Sequence, residues 1–419
     1  MEIRKPKGTN DILPEEVRKW HAIEKTAMEL SDVYGYQEIR TPIFEHTELF
    51  VRGVGETTDI VGKEMYTFED KGNRSITLRP EGTASVCRAF VENKLYGDNQ
   101  VHKLYYMGPM FRYERPQKGR YKQFHQYGVE LLGSNHPVTD AEIISFATEL
   151  LKKMGLIDLE LQINTVGCPV CKPVYRQVLI DFFSEYKEGL CPTCNERMEK
   201  NPLRILDCKN KECIEIAKEA PSMTEHVCVD CGPHYESVKG YLDAADVDYT
   251  ENPRLVRGLD YYTNTAFEII AKDFAAQGTV CGGGRYNGLV GSIGGKDVPG
   301  IGFAMGMERI ILLLSEKNIF KDSKKILDYY IIALGELEEI PAFALLKKLR
   351  DHSYFAEIDY TGKNFKNKLK YADKSGAKSV IIIGENERKN KTVMIKNMET
   401  GQQEEIDLQL FINNLKEER

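Results

Sequence analysis

The alternation of apolar and polar positions predicts a helix close to the start of the chain and then a strand. Apolar residues recur at helical spacing over 17–34, after Pro14 and before Gly35. The segment 36–44 (YQEIRTPIF) reads as a strand. Because Pro42 removes one backbone donor, this strand is expected at a sheet edge or an interface.

A second periodic region follows a glycine-dense stretch. The run GMERIILLL at 306–314 predicts an apolar helix, and the polar break SEKNIFKDSKK at 315–325 predicts the start of a new domain. Beyond the break, apolar strands alternate with amphipathic helices, which is typical of a small α/β layer. The strands are expected at 328–335, 378–384 and 391–397.

The length of the chain predicts a multidomain organisation. At roughly 100 to 200 residues per domain, 419 residues predict two to four domains. A cysteine-rich block interrupts an otherwise continuous series of strands and helices, so it reads as an insertion. The predicted division is a core in two parts, the insertion between them, and a C-terminal α/β domain: 1–166, 167–250, 251–322 and 325–419.

Net charge and hydropathy limit the partners of the chain. The formal net charge is −7, so binding to a polyanion requires local basic patches rather than bulk charge. No apolar run approaches the roughly 18 residues that a membrane-spanning helix needs. The N-terminal segment MEIRKPKGTNDILPEE has no secretory core. We therefore expect a cytoplasmic protein without membrane association.

Eight of the ten cysteines fall in the predicted insertion. Cys168-x2-Cys171 and Cys191-x2-Cys194 are separated by 19 residues, a spacing typical of a tetrahedral thiolate zinc site. The alternatives are reduced thiols without metal, spare cysteines beside one ion, or two ions. The candidate ligands are Cys168, Cys171, Cys191, Cys194, Cys208, Cys213, Cys228 and Cys231.

Two strand-like segments around a basic loop predict a binding surface at 107–133. Residues of equal parity share one face of a strand, which places Arg112 with Glu114 and Gln126 with Glu130. Gly128 is expected to leave space on this polar face. A solvated outer face is the ordinary alternative, but this set of side chains favours a binding floor. The loop carries Arg115, Lys118, Arg120 and Lys122.

The segment LVRGLDYYTNTAFEI at 255–269 predicts a strand with Arg257 and Tyr261 on one side and Tyr262 on the other. An unpaired guanidinium is costly to bury, so we expect Arg257 to meet an anion that arrives with substrate. Glu81, at a predicted helix start, lies where exposed amides suit a ligand.

Several of these segments together resemble the sequence motifs of one enzyme family. The hairpin is similar to motif 2 of class II aminoacyl-tRNA synthetases, and motifs 1 and 3 have counterparts in EIRTPIFE and GIGFAMGMERIILLL. LVRGLDYYTNTAFEI and GGGRYNGL resemble the two signature segments of the histidyl-tRNA synthetase family, and KGTNDILPEE and TLRPEGT resemble its N-terminal patterns. The resemblance covers essentially the whole chain.

The resemblance implies an α+β fold: a class II antiparallel sheet flanked by helices, with a small insertion domain and a C-terminal α/β anticodon-binding domain. It implies that L-histidine and ATP, with Mg²⁺, form histidyl-adenylate, and that the histidyl group passes to tRNA(His). It also implies a homodimer. A structural Zn²⁺ in the insertion remains the expectation from the cysteines.

The resemblance also implies a role for each motif residue. Arg257 and Arg112 are the expected catalytic residues. ATP is expected to contact Arg112, Glu114, Arg120, Phe124 and Arg309. Histidine is expected to contact Glu81, Gln126, Glu130, Arg257, Tyr261, Tyr262 and Tyr286. The acceptor end of the tRNA is expected to contact Arg115, Gln117 and Lys118.

Two other functions remain open from the sequence. One is a synthetase-like regulatory subunit of histidine biosynthesis that charges no tRNA, although such proteins typically lack the C-terminal domain and the catalytic arginines. The other is a plain RNA-binding module, which would not need a buried pocket of carboxylates, tyrosines and arginines. Pyrophosphate exchange with each amino acid in turn would reduce the uncertainty most, because neither alternative would support it.

Overall fold

The computed structural model describes residues 2–55, 58–98, 100–272, 278–320 and 326–415. None of the helices in these ranges is long and apolar enough to cross a membrane. The chain divides into two compact units, the first ending at residue 321 and the second beginning at residue 322. The predicted break at 315–325 lies partly outside the described residues.

The first unit is built on a large mixed sheet. Its strands are β1 (Gln37–Glu38), β2 (Phe44–His46), β3 (Tyr66–Glu69), β4 (Ser75–Leu78), β5 (His102–Phe111), β6 (Gln123–Leu132), β7 (Leu159–Thr165), β8 (Thr250–Glu251), β9 (Thr263–Ala271), β10 (Thr279–Arg285) and β11 (Gly300–Gly306). Its helices are α1 (Pro14–Val33), α2 (Thr47–Val54), α3 (Thr83–Glu92), α4 (Val138–Lys153), α5 (Cys171–Glu185), α6 (Pro192–Lys200), α7 (Lys211–Lys218), α8 (Cys231–Ala244), α9 (Leu289–Ser292) and α10 (Met307–Glu316).

Eight strands form the main sheet in the order β1-β5-β6-β11-β10-β9-β7-β8. The pairs from β5 to β7 are antiparallel, and the edge pairs β1–β5 and β7–β8 are parallel. The strands β2, β4 and β3 form a small separate sheet. The predicted antiparallel sheet with flanking helices is confirmed.

The period-2 pattern of β6 divides the sheet into a core face and a polar face. Tyr127, Val129 and Leu131 are fully buried in the hydrophobic core that α1 and α4 also enter. Fully burying one such side chain contributes about 1.5–3 kcal/mol, which fixes the register of the strand. Gln126 and Glu130 therefore lie on the opposite face, as their parity predicts.

Two predicted strands are wrong in part. The segment 36–44 is not continuous, because β1 and β2 lie on either side of Pro42 in different sheets. The segment 255–269 is a strand only from Thr263 onward, and the Asp260 amide donates to the Val54 carbonyl at 3.2 Å instead of entering the sheet ladder. Arg257 and the two tyrosines after it therefore lie in a loop, so the parity argument does not apply to them.

The insertion between β7 and β8 is helical. The helices α5 to α8 enclose a small hydrophobic core in which cysteine side chains pack with aromatic and aliphatic ones. The core residues Tyr175, Leu179 and Phe183 all come from one face of α5.

The second unit is a five-stranded sheet in the order β13-β12-β14-β15-β16. Its elements are β12 (Tyr329–Ala333), α11 (Glu336–Asp351), β13 (Ala356–Ile358), α12 (Phe365–Ser375), β14 (Ser379–Ile383), α13 (Glu385–Asn390), β15 (Thr392–Asn397), β16 (Gln403–Asp407) and α14 (Leu408–Asn414). The three predicted strands are confirmed as β12, β14 and β15. The strands β13 and β16 have no counterpart in the predicted apolar runs, since β13 is short and β16 is mostly exposed.

Candidate functional site

One cavity of about 420 Å³ opens on the polar face of the main sheet. Its floor comes from β6, β10 and β11, and its walls come from the loop after β5, the loop before β9 and the first turn of α10. The structure places eleven of the predicted site residues on its lining: Glu81, Arg112, Glu114, Arg120, Phe124, Gln126, Arg257, Tyr261, Tyr262, Tyr286 and Arg309.

One side of the cavity is rich in arginine. Arg112 leaves the end of β5, where its Nε donates to the Pro80 carbonyl at 2.8 Å and its guanidinium lies over the Phe124 ring. Arg120 donates to Glu114 at 3.3 Å. These contacts hold one acidic and two basic side chains beside an aromatic face, an arrangement that suits a planar base carrying phosphates.

Arg309 lies in the first turn of α10 and donates to the Thr279 carbonyl. Burial lowers the pKa of Arg309, and the positive charge of Arg120 lowers it further. The two cations therefore face the same space with incomplete compensation. Such a space favours an anionic ligand.

Arg257 already has an anionic partner in the protein, so the premise that its guanidinium is unpaired is wrong, while its contact with an anion of the substrate stays a prediction. Its Nη1 forms an ion pair with Glu268 of β9. Burial alone would lower the pKa of Arg257, but Glu268 and Tyr262 raise it overall. The Nε is buried and has no partner among the described residues. A Cβ at Gly282 would lie 2.5 Å from the guanidinium, so only glycine allows Arg257 to lie against β10.

Glu130 is not part of the cavity lining; it lies behind Thr83 and Tyr286, which do line the cavity, and is 1% exposed. It accepts hydrogen bonds from Tyr286 Oη at 2.5 Å and from Thr83 Oγ1 at 2.7 Å. Burial raises the pKa of Glu130 to about 8, against these two hydrogen bonds, which lower it. Glu130 is therefore a buried carboxyl group that holds its proton near neutral pH, suited to exchange a proton with a nitrogen ligand.

Glu81 and Gln126 mark a second polar position. The carboxylate of Glu81 accepts from the Thr83 amide at 2.7 Å and the Ala84 amide at 2.9 Å, so it caps α3. Burial raises the pKa of Glu81, while these amides lower it. The Oε1 of Gln126 is buried and has no partner among the described residues. An unsatisfied acceptor beside a carboxylate suits an ammonium group.

Aromatic rings form the wall beside Glu130. Tyr261 and Tyr262 have ring centroids 4.7 Å apart, and Tyr261 meets Tyr286 edge to face at 5.8 Å. The space expected above Gly128 is not open, because the Tyr106 ring fills it. On β6, the polar face therefore reaches the cavity at Phe124 and Gln126 and is covered at Gly128.

The predicted tRNA-contact residues lie outside the cavity lining. Arg115, Gln117 and Lys118 are exposed in the loop between β5 and β6, and Lys118 pairs with Glu316. Gln117 bridges to Arg120, which does line the cavity. The loop thus connects a solvent-facing basic tip to the arginine-rich wall, and its role in tRNA contact stays a prediction.

The cysteines form two groups, and the pairing taken from the spacing is wrong. The first, the Cys168 group, contains Cys168, Cys171, Cys228 and Cys231. The second, the Cys191 group, contains Cys191, Cys194, Cys208 and Cys213. Within each group the four sulfur atoms lie within 4.8 Å of one another. The fold brings Cys168 and Cys171 close to Cys228 and Cys231, and it brings Cys191 and Cys194 close to Cys208 and Cys213. The spacing of the cysteines along the sequence could not reveal this grouping.

Sequence reasoning missed several residues that shape the site. Glu268 and Thr83 bind Arg257 and Glu130 directly. Arg285 is fully buried beside the cavity wall and forms an ion pair with Asp140 in the first turn of α4. A charged residue inside the glycine-rich run GGGRYNGL was the available signal for Arg285, while Glu268 looked like an ordinary alternating strand residue.

Comparisons with known proteins agree with this site. The sequence model of histidyl-tRNA synthetase matches residues 8–178 and 208–310, and the anticodon binding domain matches 328–418. The gap in the first match contains Cys191 and Cys194.

Among curated relatives, a histidine–tRNA ligase of Halothermothrix orenii is 53% identical over 415 residues, covering 99% of both chains. One from Clostridioides difficile is 49% identical over 418 residues, covering 100% of both. The apo S. aureus histidyl-tRNA synthetase structure has a TM-score of 0.83 at 42% identity, covering 99% of this chain and 100% of that one. The chain belongs to the histidyl-tRNA synthetase family, within the class II aminoacyl-tRNA synthetases.

Proposed function

We propose that the chain activates L-histidine with ATP and transfers the histidyl group to the 3′ end of tRNA(His). The observation that carries this proposal is a cavity whose lining includes four arginines and three tyrosines, with the buried carboxyl group of Glu130 behind it, hydrogen-bonded to Tyr286. The arginines suit a nucleoside triphosphate, and the carboxyl and tyrosines suit an imidazole. Family membership supports the same reaction.

ATP lies on the arginine-rich side. Arg112 holds the α-phosphate, Arg309 holds the γ-phosphate, and Phe124 stacks on the base beside Glu114. Arg120, paired with Glu114, completes the pocket. These residues are held by backbone contacts before ligand arrives, as for Arg112 on Pro80. Their charges therefore cost little reorganisation when negative charge develops at phosphorus.

Histidine lies on the carboxyl side. Glu81 and Gln126 take its ammonium group, because Gln126 brings a buried acceptor that has no other partner among the described residues. Glu130, held by Tyr286, meets an imidazole nitrogen, while Tyr261 and Tyr262 enclose the ring. A buried carboxyl left unsatisfied by an apolar analogue disfavours that analogue, which gives selectivity.

The chemistry then follows from the placement of two cations. A carboxylate oxygen of histidine attacks the α-phosphorus, and the bond to the β-phosphate oxygen breaks, so histidyl-adenylate and pyrophosphate form. Arg112 and Arg257 approach the α-phosphate from opposite sides and stabilise its charge in the transition state. A ribose hydroxyl at the 3′ end of the tRNA next attacks the carbonyl carbon and releases AMP.

When bound together with ATP, Mg²⁺ would neutralise charge on the phosphate oxygens. Glu114 and Glu268 are carboxylates on the cavity lining next to the arginines. Oxygen donors of this kind fit Mg²⁺, which commonly takes one or two carboxylates together with phosphates and water.

Other components complete the proposal. The loop residues Arg115, Gln117 and Lys118 contact the acceptor end of the tRNA, and the C-terminal unit contacts the anticodon. The core, insertion and anticodon-binding domains follow the four-part division predicted from the sequence. The insertion carries structural Zn²⁺, the protein is a homodimer, and it works in the cytoplasm.

The alternative, a regulatory subunit without charging activity, is not favoured. Arg112, Arg257 and Arg309 are present on one cavity, and the chain also contains a region that matches the anticodon binding domain. The structure of an ATP phosphoribosyltransferase regulatory subunit/histidyl-tRNA synthetase from Bacillus halodurans is similar to this chain with a TM-score of 0.66 at 20% identity, which indicates a shared fold alone.

Pyrophosphate exchange with each of the standard amino acids tests the proposal. Only histidine should support exchange with ATP, and charging should then require tRNA(His). If the folded protein catalyses pyrophosphate exchange with no amino acid, the proposed ligase function is wrong and the regulatory subunit is favoured instead. Exchange driven by a different amino acid would refute the assignment of Glu130 and the tyrosines to an imidazole.

A further inference from the structure

The sulfur atoms of the two cysteine groups lie at the separation expected for a metal site. Measured distances are 3.7 Å for Cys168–Cys171, 3.8 Å for Cys168–Cys228 and 3.9 Å for Cys191–Cys208. Four thiolates at about 2.3 Å from a tetrahedral zinc ion are separated by about 3.8 Å, whereas a disulfide needs about 2.05 Å. Each group therefore has the dimensions of one tetrahedral site.

Backbone amides also favour thiolates over thiols in both groups. The Cys228 amide donates to Cys171 Sγ at 3.0 Å, and the Cys191 amide donates to Cys213 Sγ at 3.2 Å. Cys171 and Cys231 are the first residues of α5 and α8, where helix N-termini stabilise negative charge. Amide donors around a zinc–thiolate site compensate the charge of its four ligands.

The Cys168 group touches the loop that forms the histidine pocket. Lys172, which follows the ligand Cys171, donates its Nζ to the Tyr262 carbonyl. Asn264, two residues beyond Tyr262, donates its side-chain amide to Cys231 Sγ at 3.3 Å. An ion in this group would therefore fix the backbone on both sides of Thr263, where the loop enters β9.

The Cys191 group touches the same loop at its other end. Arg204 donates to the Arg257 carbonyl at 3.4 Å, and Asn201 donates to Asp260 at 3.3 Å. Asp207 and Lys209, the neighbours of the ligand Cys208, line the cavity. The segment between the ligands Cys194 and Cys208 thus rests on the loop that carries Arg257.

We infer that the insertion binds two zinc ions, one in each cysteine group, and that the two ions position opposite ends of the loop 257–262. The ion of the Cys168 group positions Tyr262, and the ion of the Cys191 group positions Arg257. The positioning role rests on the proposed ligase function, whereas the zinc count does not. Such ions would also stabilise the small helical module, because the free energy of metal binding adds to that of folding.

Metal analysis of the intact protein, purified without chelator, tests the count. Wild type should contain two zinc ions per chain, and Cys228→Ala and Cys208→Ala should each contain one. Val229→Ala is the matched control for the first group, because Val229 is 88% exposed between two ligands. Thr193→Ala, also exposed, serves the second group. Both controls should keep two ions and full activity.

Steady-state kinetics of adenylate formation test the positioning role. Cys228→Ala should raise the KM for histidine about tenfold, and Cys208→Ala should lower kcat about tenfold, the lower end of what disturbed outer contacts of metal sites cost. Lys172→Met and Arg204→Ala cut the contacts to the loop but leave the ligands. Both variants should keep two zinc ions. Lys172→Met should raise the KM for histidine, as Cys228→Ala does, and Arg204→Ala should lower kcat, as Cys208→Ala does.

The outcomes separate the claims. Wild type without metal, and with melting unaffected by chelator, would overturn the whole inference. Folded one-zinc variants with unchanged KM and kcat would overturn the positioning role. A protein that contains two zinc ions but exchanges pyrophosphate with no amino acid would overturn the ligase function and the positioning role, while the zinc count would stand.

Discussion

Replacing Arg257 with alanine distinguishes a cation that acts on the phosphate from one that only completes an ion pair. The side chains of Arg257 and Glu268 are 18% and 20% exposed, so their pair is mostly buried. Removing one partner of a buried pair costs about 3–5 kcal/mol, and the partial exposure reduces our expectation to about 2–3 kcal/mol of unfolding free energy. The loss of one preorganised charge should also slow adenylate formation about 10²–10³-fold.

Two further variants separate these effects. Arg257→Lys keeps a cation beside Glu268, so stability should stay close to wild type, but an ammonium group cannot offer two parallel donors to a phosphate. Its rate should stay within about tenfold of the alanine variant. The double variant Arg257→Ala/Glu268→Gln removes the Glu268 carboxylate that Arg257→Ala alone would leave unpaired. It should recover most of the unfolding free energy and none of the rate, with Glu268→Gln alone as the control.

Single-turnover measurement of adenylate at saturating ATP and histidine gives the rate, after circular dichroism and urea unfolding have shown that each variant folds. Because the proposed contact of Arg257 with the α-phosphate strengthens in the transition state, the KM for histidine should change much less than kcat. A folded alanine variant within about threefold of the wild-type rate would remove Arg257 from the chemistry. Recovery of the rate in the double variant would make its role structural.

Glu130→Gln should raise the KM for histidine, and it should flatten the decline in unfolding free energy between about pH 5 and pH 8, because folded Glu130 keeps its proton where the unfolded side chain has lost it. Urea unfolding at both pH values checks this, and a slope equal to wild type would contradict it. Removing residues 322–419 should preserve histidine-dependent exchange but weaken charging at subsaturating tRNA; equal charging would exclude anticodon contact. Lys118→Ala should leave exchange and melting unchanged, since its exposed pair with Glu316 contributes little, and should raise the KM for tRNA. An unchanged KM would remove Lys118 from the tRNA surface.

The parts of the molecule that followed from the sequence are those set by local periodicity. The burial of Tyr127, Val129 and Leu131 could be predicted because side chains alternate along a strand, and α1 because its apolar residues recur at helical spacing. The motif resemblance supplied the residues that share the cavity, but not the contacts among them.

The parts that did not follow depend on segments that are distant along the chain. Arg257 meets Glu268 only because a loop folds back over β9, and the sequence carries no periodic signal for a loop. Likewise, Cys171 belongs to the same group as Cys228 rather than Cys191, because α5 to α8 bring the ends of the insertion together. The strand β16 was missed because its residues are mostly polar and exposed, so it lacks the apolar alternation on which strand prediction rests.

The buried pair of Arg285 and Asp140 couples the shape of the proposed histidine pocket to the stability of the fold. Arg285 stands directly before Tyr286, a residue of the proposed histidine pocket, and both members of the pair are 0% exposed. Arg285 also donates to Thr139 at 2.9 Å and to the Ser134 carbonyl at 2.9 Å, so this backbone cannot shift without breaking several contacts. A mutation that widens the pocket by moving this strand would cost about 3–5 kcal/mol, a large share of the stability of a typical domain. Such a variant would have a smaller folded fraction, so a mutation that widened the pocket would at the same time lower the amount of working enzyme.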